Sequence, residues 1–580
     1  MIELPIYTPS PPNDTEKYQY TKINSKLYKF LVTLQLISWV IFGYNFYTLY
    51  HNVFWLFITL GPLILFTIFY NVLSLIINLL YPSFNFTNHY NLIFDFWQTK
   101  RTRKITIDVF LPVCGENLEI LQNTWAGVYA LKSKNYKLTP YVLDDKNDQG
   151  VKALAEEFGF TYLSRPNRGE LKKAGNLKYG FENSNSDFIL ILDADFAPRS
   201  DFITETLPYM LNENIGIVQT PQYFDRDEKL YRHSPLMYGA GAIQEYFYKI
   251  IQPARSVIGG AICVGTCGLY RRKALDLIGG TYQIEHSEDV YTGFALKAKG
   301  YDLKYLPLIL SKGVCPEDAH AFFKQQTRWC LGSLSLMTNK VFWQAKLSLL
   351  TRLCFISGFS FYISNVIGLI LTAQTMLTIY IFPDVFNEQF PLYFLYLLLS
   401  NFIIQLFYVY QKPNFGTILA HSTASWAYIF TILSLIIGHK EGWTPTGAKS
   451  KVSSGFLTQY SMLATYLIIS LCAFLYLLLD PRISIIKIGL IPLFFWAGIN
   501  LIYHFSAWSY WSNYLQESYL TVQKSLLPKF LFNFQKLALV MLALAIVIVG
   551  TDGASNKQLS SRFSKPAKVQ AYQVDGGKGN

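Results

Sequence analysis

Two carboxylates, Asp193 and Asp195, stand two residues apart in DFILILDADF, directly after a run of apolar residues. Alternate positions of an extended chain project to the same side. The pair can therefore share one divalent cation and leave the rest of its oxygen shell to substrate phosphates. Alone, the spacing serves equally well as a strand-ending turn that caps the next helix. Two further acidic pairs give it company. Asp144 and Asp145 close TPYVLDD, and Glu288 and Asp289 follow Ser287 ahead of the amphipathic stretch VYTGFALKAKG. Any one of these is explained as a cap; three in one region call for a common site. A fourth group, Gln325, Arg328 and Trp329 in AFFKQQTRWCLGS, lies just before long apolar runs. By itself it reads as an interface anchor, because Arg and Trp are common where helices meet headgroups.

The elements that must position these residues follow from composition and texture. With 580 residues, 51% hydrophobic and 15% charged, the chain is too apolar for an ordinary soluble protein and too polar to be all membrane. Its net charge of +12 is scattered, with no basic block dense enough for nucleic acid. Anionic headgroups and an anionic substrate suit it better. The seven cysteines form no CxxC pair and no His-spaced cluster, which argues against structural zinc and a disulfide framework and for a reducing compartment.

Residues 1–27 are polar with Pro and Ser and read as a disordered cytosolic N-terminus. Two uncharged apolar runs, about 30–49 and 53–80, form a transmembrane hairpin over 28–80. Lys17, Lys22, Lys26 and Lys29 before it and Lys100, Arg101, Arg103 and Lys104 after it place both flanks in the cytosol. Across 90–345, β-branched runs (ITIDVFLPV, TPYVLDD, DFILILDAD) alternate with amphipathic segments, as in a doubly wound α/β domain with parallel strands. Ligands of such domains bind beyond the carboxyl ends of the strands, where two of the acidic pairs fall. Residues 346–551 are transmembrane and interfacial helices, with spanning-length runs near 353–381, 391–411, 417–438, 459–479, 484–505 and 530–550. Asp384 and Glu388 put the 382–390 connection outside, whereas Lys440, Lys449 and Lys451 put 439–457 in the cytosol. Both hold if 417–438 lies along the interface instead of crossing. Residues 552–580 read as a disordered basic tail.

The ordered series DVFLPVCGE (108–116), VLDD (142–145), KAGNL (173–177), DAD (193–195), GTCGLYRR (265–272), SED (287–289) and QQTRW (325–329) resembles the processive family 2 glycosyltransferases of GT-A fold, the cellulose synthase group in particular. The resemblance implies an α/β GT-A (Rossmann-like) cytosolic domain inserted between transmembrane α-helices of a multi-pass membrane protein. It implies that Asp144 or Asp145 reads the base and ribose of a nucleotide sugar, although Lys146 replaces the glycine often found next. Lys173 then faces phosphate, and Asp193 and Asp195 hold Mg²⁺ or Mn²⁺, with Asp193 also on the donor. Asp289 becomes the general base and Glu288 its orienting partner, with Ser287 in the place of a threonine. Gln325 and Arg328 contact the donor, Trp329 stacks on the growing chain, and the GTCG turn (Gly265, Thr266, Cys267) touches the acceptor. His286 remains an ordinary loop histidine. HKEGWTPTGAKSK (439–451) resembles a gating loop, with Trp443, Thr446 and Lys449 in the key places and one extra residue between the last two.

The implied activity is a nucleotide-sugar-dependent hexosyltransferase, inverting and processive. It would polymerise a β-glucan such as cellulose or a mixed-linkage glucan from UDP-glucose and translocate it across the plasma (inner) membrane. Mannan, chitin and hyaluronan synthases use the same motif set, and a non-processive transfer to a lipid acceptor stays within the class. A transporter or scaffold with a degenerate domain is the non-enzyme alternative. The implied partners are a UDP-sugar donor, the growing polysaccharide and the lipid bilayer, with no nucleic acid. The tail carries no cyclic-dinucleotide module, so regulation of that kind would come from auxiliary export or regulatory subunits.

Overall fold

The computed structural model describes residues 7–52, 54–99, 103–226, 234–316, 318–381, 415–438, 454–479, 498, 501, 502 and 504–512. The expected spans at 391–411 and 530–550, most of 484–505, Trp443, Thr446 and Lys449 of the gating-like loop, and the tail 552–580 lie outside the described residues.

Two long helices, α1 (Ser25–Asn52) and α2 (Phe54–Asn78), pack together as the expected hairpin. An amphipathic helix, α3 (Phe86–Gln98), leads from it into the sheet. Its N-cap Asn85 accepts a hydrogen bond from the Asn88 N–H at 2.9 Å.

Strands β1 (Ile105–Val113), β2 (Tyr136–Asp144), β3 (Thr161–Leu163) and β4 (Phe188–Ile191) are joined through α4 (Leu118–Tyr129), α5 (Gln149–Glu157) and α6 (Lys172–Glu182). Shorter strands follow: β5 (Ala197–Pro198), β6 (Ile215–Gln219), β7 (Tyr223–Phe224), β8 (Gly268–Arg271), β9 (Asp302–Tyr305) and β10 (Ser311–Gly313). The main sheet has the order β3-β2-β1-β4-β8-β6-β9, and a small one has β5-β10-β7. The three expected strands are parallel neighbours, but the sheet is mixed. β8, which the sequence pattern did not single out, runs antiparallel between β4 and β6. Strand direction is set by how the chain returns, which the apolar pattern of a four-residue strand does not encode.

β1 is mostly apolar, Thr106 and the buried Asp108 apart, because both faces are covered. Val109 and Leu111 pack with Trp125 on one side, and Phe110 packs with Leu143 and Ile189 on the other. Register then places the chemistry. Val113 lies opposite Asp144 and Phe110 opposite Ile191, which brings residues 114–116, 144–145 and 192–195 to one edge of the sheet.

Beyond the sheet come α7 (Pro235–Tyr246), α8 (Glu288–Ala298), α9 (Ala319–Thr338), α10 (Leu349–Ile381), α11 (Phe415–Ile437) and α12 (Ser454–Leu479). Five described helices, α1, α2, α10, α11 and α12, are long and apolar enough to cross a membrane. This is a membrane protein. α11 differs from the other four: its span is 56% buried against 22–33% for the rest, because it packs on α7 and α9. At that contact Gly239 meets the Gly416 carbonyl so closely that any Cβ would overlap it. An element this well covered presents little surface to lipid.

The N-terminal lead also differs from expectation: from residue 7 onward it is folded onto the α/β domain. Lys17, 5% exposed, bonds Asp201 at 2.7 Å and Glu205 at 2.6 Å. Lys312 reaches Glu16 at 2.7 Å, and the Tyr7 hydroxyl donates to Asp225 at 2.6 Å. Composition reads such a segment as disordered because its partners lie far away in sequence.

Candidate active site

The acidic pairs and Lys173 meet at the carboxyl edge of the sheet. Lys173, in the first turn of α6, bonds the Asp193 carboxylate, donates to the Gly265 carbonyl at 2.9 Å and lies 3.9 Å from Glu288. Burial works against its charge, yet Asp193 and Glu288 hold its pKa above the ordinary lysine value. The DAD turn is fixed from beneath by Thr266, whose Oγ1 accepts from the Asp193 N–H at 2.8 Å. Burial, and then the like charge of Asp193, push the Asp195 carboxyl up to about 7. Glu116 adds to that field, and burial raises its own carboxyl. Glu116 closes the DVFLPVCGE motif without an expected role of its own; its place just past β1, opposite the DAD turn, is the signal in the sequence.

Asp289 opens α8 beside Glu288. Burial, and then Glu288, push its carboxyl up to about 7, with Lys173 opposing. Its Oδ1 accepts from the Val290 N–H at 2.8 Å. Gly265, at φ +75°, lies against it, and a Cβ there would meet Oδ2 at 2.9 Å. Burial also raises the Glu288 carboxyl, which Lys173 opposes, and lowers the Arg328 guanidinium, which Glu288, Asp193 and Asp289 oppose. These mutual terms place Arg328 of α9 in the same charged group. Gly332, one turn further along α9, touches Ser287 so closely that a Cβ would overlap its hydroxyl. The SED and QxxRW motifs are thus one packed unit. Gln325 is half-buried, whereas its neighbour Gln326 is fully buried and accepts from the Tyr428 hydroxyl of α11 at 2.6 Å. Burial lowers the His286 imidazole, and nothing assigns it a further role.

A cavity of about 620 Å³ continues from this group into the membrane helices. Asp289, Ser287 and Trp329 line it together with Tyr70 of α2, Asn365 of α10 and His421 of α11.

Several of the expected contact residues also have partners within the protein. Asp144 is buried and accepts from the Lys146 N–H at 2.8 Å, the Asp148 N–H at 2.6 Å and the Tyr162 hydroxyl at 2.8 Å. Asp145 is paired bidentately with the buried Arg165, at 2.6 and 2.9 Å. Both carboxylates shape the loop that would face a nucleotide. Thr266 is likewise buried under the DAD turn. Cys267 points into the core and accepts from the Ser311 hydroxyl at 2.7 Å, with burial pushing its thiol up to about 12. Of the GTCG turn, Gly265 is the residue that lies against Asp289.

Backbone strain marks the same places. Among the described residues, the non-glycine residues with left-handed backbone are Asn147, Leu171, Lys172, Cys267 and Ser287. Each adjoins one of the motifs above. Such conformations cost about 1–3 kcal/mol apiece and persist where surroundings enforce them, commonly at functional sites.

Residues 108–279 match the family model described as glycosyl transferase family 2. A cellulose synthase 1 catalytic subunit (UDP-forming) of Komagataeibacter xylinus is 31% identical over 269 residues, covering 46% of this chain and 36% of that protein. The cellulose synthase catalytic subunit (UDP-forming) of Xanthomonas axonopodis pv. citri is 26% identical over 256 residues, covering 44% and 35%. The chain therefore spans about a third of the length of these curated relatives. A solved mannosyltransferase from Pyrobaculum calidifontis, in complex with GDP-Man and Mn²⁺, covers 63% of this chain and 100% of its own at 14% identity, with a TM-score of 0.43. A score that low carries no argument here. Residues 108–279 thus match glycosyl transferase family 2, and just under half of the chain is similar to cellulose synthase catalytic subunits.

Proposed function

We propose that the chain is a membrane-embedded, inverting, processive β-glycosyltransferase that takes UDP-glucose and passes a β-glucan into its membrane helices. The observation that carries this reading is the single cavity shared by Asp289, Trp329 and helices α2, α10 and α11. A base beside a stacking surface, at the head of a passage, is what chain growth coupled to export requires. The names of the UDP-forming relatives support UDP as the leaving group and glucose as the sugar. The basic flanks of the α1–α2 hairpin support a cytosolic catalytic domain at the plasma (inner) membrane.

Asp289 takes the proton of the acceptor hydroxyl as that oxygen bonds the anomeric carbon. The bond from that carbon to the diphosphate oxygen breaks, and UDP leaves with the electron pair. Attack opposite the leaving group converts an α-linked donor into a β-linked product. Lys173 and Arg328 bring positive charge to the departing diphosphate, held in place by Asp193 and Glu288. Glu288 orients Lys173 and adds to the burial that pushes the Asp289 carboxyl up to about 7.

Asp193 and Asp195 fit a divalent cation, since Asp195 carries a strongly raised carboxyl against like charges that a cation would relieve. Among the described residues no three His, Cys, Asp or Glu converge on one point, so phosphate oxygens would complete the shell. Mg²⁺ or Mn²⁺ held there would neutralise the diphosphate, and oxygen ligands of this kind serve either metal. Trp329 holds the sugar ring at the chain end.

The test supplies membranes containing the protein with labelled UDP-glucose, UDP-N-acetylglucosamine or GDP-mannose, each with Mg²⁺ or Mn²⁺. Label from UDP-glucose should enter an insoluble product that a β-glucanase digests. Incorporation from another donor alone, or into a single-sugar glycolipid, overturns the reading.

A further inference from the structure

Helix α9 serves two neighbours at once. At about 100° per residue, Gln325, Arg328, Trp329 and Gly332 share one face, the one turned to the charged group and the cavity. Phe323 and Gln326 share another, about 140° away, which packs on α11. The Phe323 ring lies 6.1 Å from that of Phe430, an apolar contact. Gln326, 0% exposed, makes a directed one: its Oε1 accepts from the Tyr428 hydroxyl at 2.6 Å. The Tyr428 ring is held in turn by α10, edge-on to Tyr362 at 4.9 Å and to Phe361 at 5.7 Å. Contact therefore runs from the QxxRW motif through Gln326 and Tyr428 to two membrane helices.

The two kinds of contact constrain α9 differently. Ring packing tolerates some rotation of a helix about its axis. A hydrogen bond has direction, and breaking one in the interior leaves a buried acceptor without its donor. Side chains stand about 5–6 Å from a helix axis, so a turn of about 20° would carry the Trp329 indole about 2 Å. Stacking needs a ring face in contact, and a slip of that size removes it. Arg328 would turn too, but Coulomb attraction falls only as the inverse of distance, so its hold on a diphosphate survives the same slip. Loss of the Gln326 bond should thus show in chain growth before it shows in donor binding.

We infer that Gln326 and Tyr428 are positioning residues for chain growth: their hydrogen bond sets the rotation of α9 and so holds Trp329 on the path from Asp289 into the membrane cavity. This role rests on the sugar-transfer reading and gives a membrane span a part in how long each chain grows.

The test uses membranes containing the full chain, supplied with labelled UDP-glucose. Sugars per reducing end give product length, and calorimetry gives UDP affinity. Tyr428→Phe keeps the ring and loses the donor, while Gln326→Leu keeps the bulk and loses the acceptor. Each should shorten the product about two- to tenfold, as expected for one buried hydrogen bond, with UDP affinity unchanged. The double variant should make chains no shorter than either single one, because the two residues act through one bond. Gln326→Glu, which keeps an acceptor for Tyr428, should retain near wild-type length. A merely structural part would lower the thermal midpoint and UDP affinity together with length. That result overturns the assignment, as does wild-type length in Tyr428→Phe or additive shortening in the double variant. Should Gln326→Leu fail to fold, Tyr428→Phe and Gln326→Glu decide by the same criteria. A wild type that makes no polymer overturns the sugar-transfer reading and this role with it. Polymer from wild type with unaltered length in Tyr428→Phe overturns this role alone.

Discussion

Replacing Asp289 with Asn removes a base while keeping its shape, so activity and stability should move in opposite directions. A positioned general base contributes about 10²–10⁴ in rate, or roughly 2.7–5.4 kcal/mol of barrier, and sugar incorporation should fall by that factor. The wild-type pH profile supplies a second number. With the Asp289 carboxyl pushed up to about 7 by burial and Glu288, the base form is lost as pH falls through 7. Incorporation should therefore drop about tenfold per unit on the acid side. The stability effect has the other sign. Folding raises this carboxyl above its ordinary 3.8, so its contribution is fully present below about 4 and lost as pH rises through 7. Asp289→Asn removes that burdened charge and should melt no lower than wild type at pH 8. The assays are labelled-glucose incorporation, calorimetric UDP binding and thermal melting. Near wild-type synthesis would refute the assignment, as would a loss accompanied by lower melting and lost UDP binding.

Trp329→Ala should reduce elongation about tenfold or more while sparing donor hydrolysis, and equal loss of both would remove the stacking role. Arg165→Ala strands Asp145 in the interior and should lower stability by about 3–5 kcal/mol, read as a fall in denaturant midpoint. Gly332→Ala forces Ser287 away and with it the start of α8, so kcat should fall with UDP affinity little changed. Chelation with EDTA should abolish incorporation, and Mg²⁺ or Mn²⁺ should restore it in wild type but not in Asp195→Asn.

What was legible depended on how local its cause was. ITIDVFLPV matches β1 to the residue, because a strand buried on both faces is a mostly apolar run, here interrupted only by Thr106 and Asp108. The grouping of Asp193, Asp195 and Asp289 was legible from motif order, and the structure sets Lys173 against Asp193. The partners of Asp144 and Asp145 were not, because Tyr162 and Arg165 sit about twenty residues on and carry no pattern. Thr266 and Cys267 turned inward because Cys267 adopts a left-handed backbone that no propensity foretells. The N-terminal lead reads as disordered until Lys17 is seen between Asp201 and Glu205.

The central claim is that transfer at Asp289 feeds a chain past Trp329 into the membrane cavity. The most direct measurement is a structure of the protein stalled with UDP and its own product. The account predicts consecutive sugar rings beginning beside Asp289, one stacked on Trp329, continuing between α2, α10 and α11 past Asn365 and His421. Sugar rings that leave Trp329 along the face of the α/β domain, with the cavity empty of carbohydrate, would contradict it.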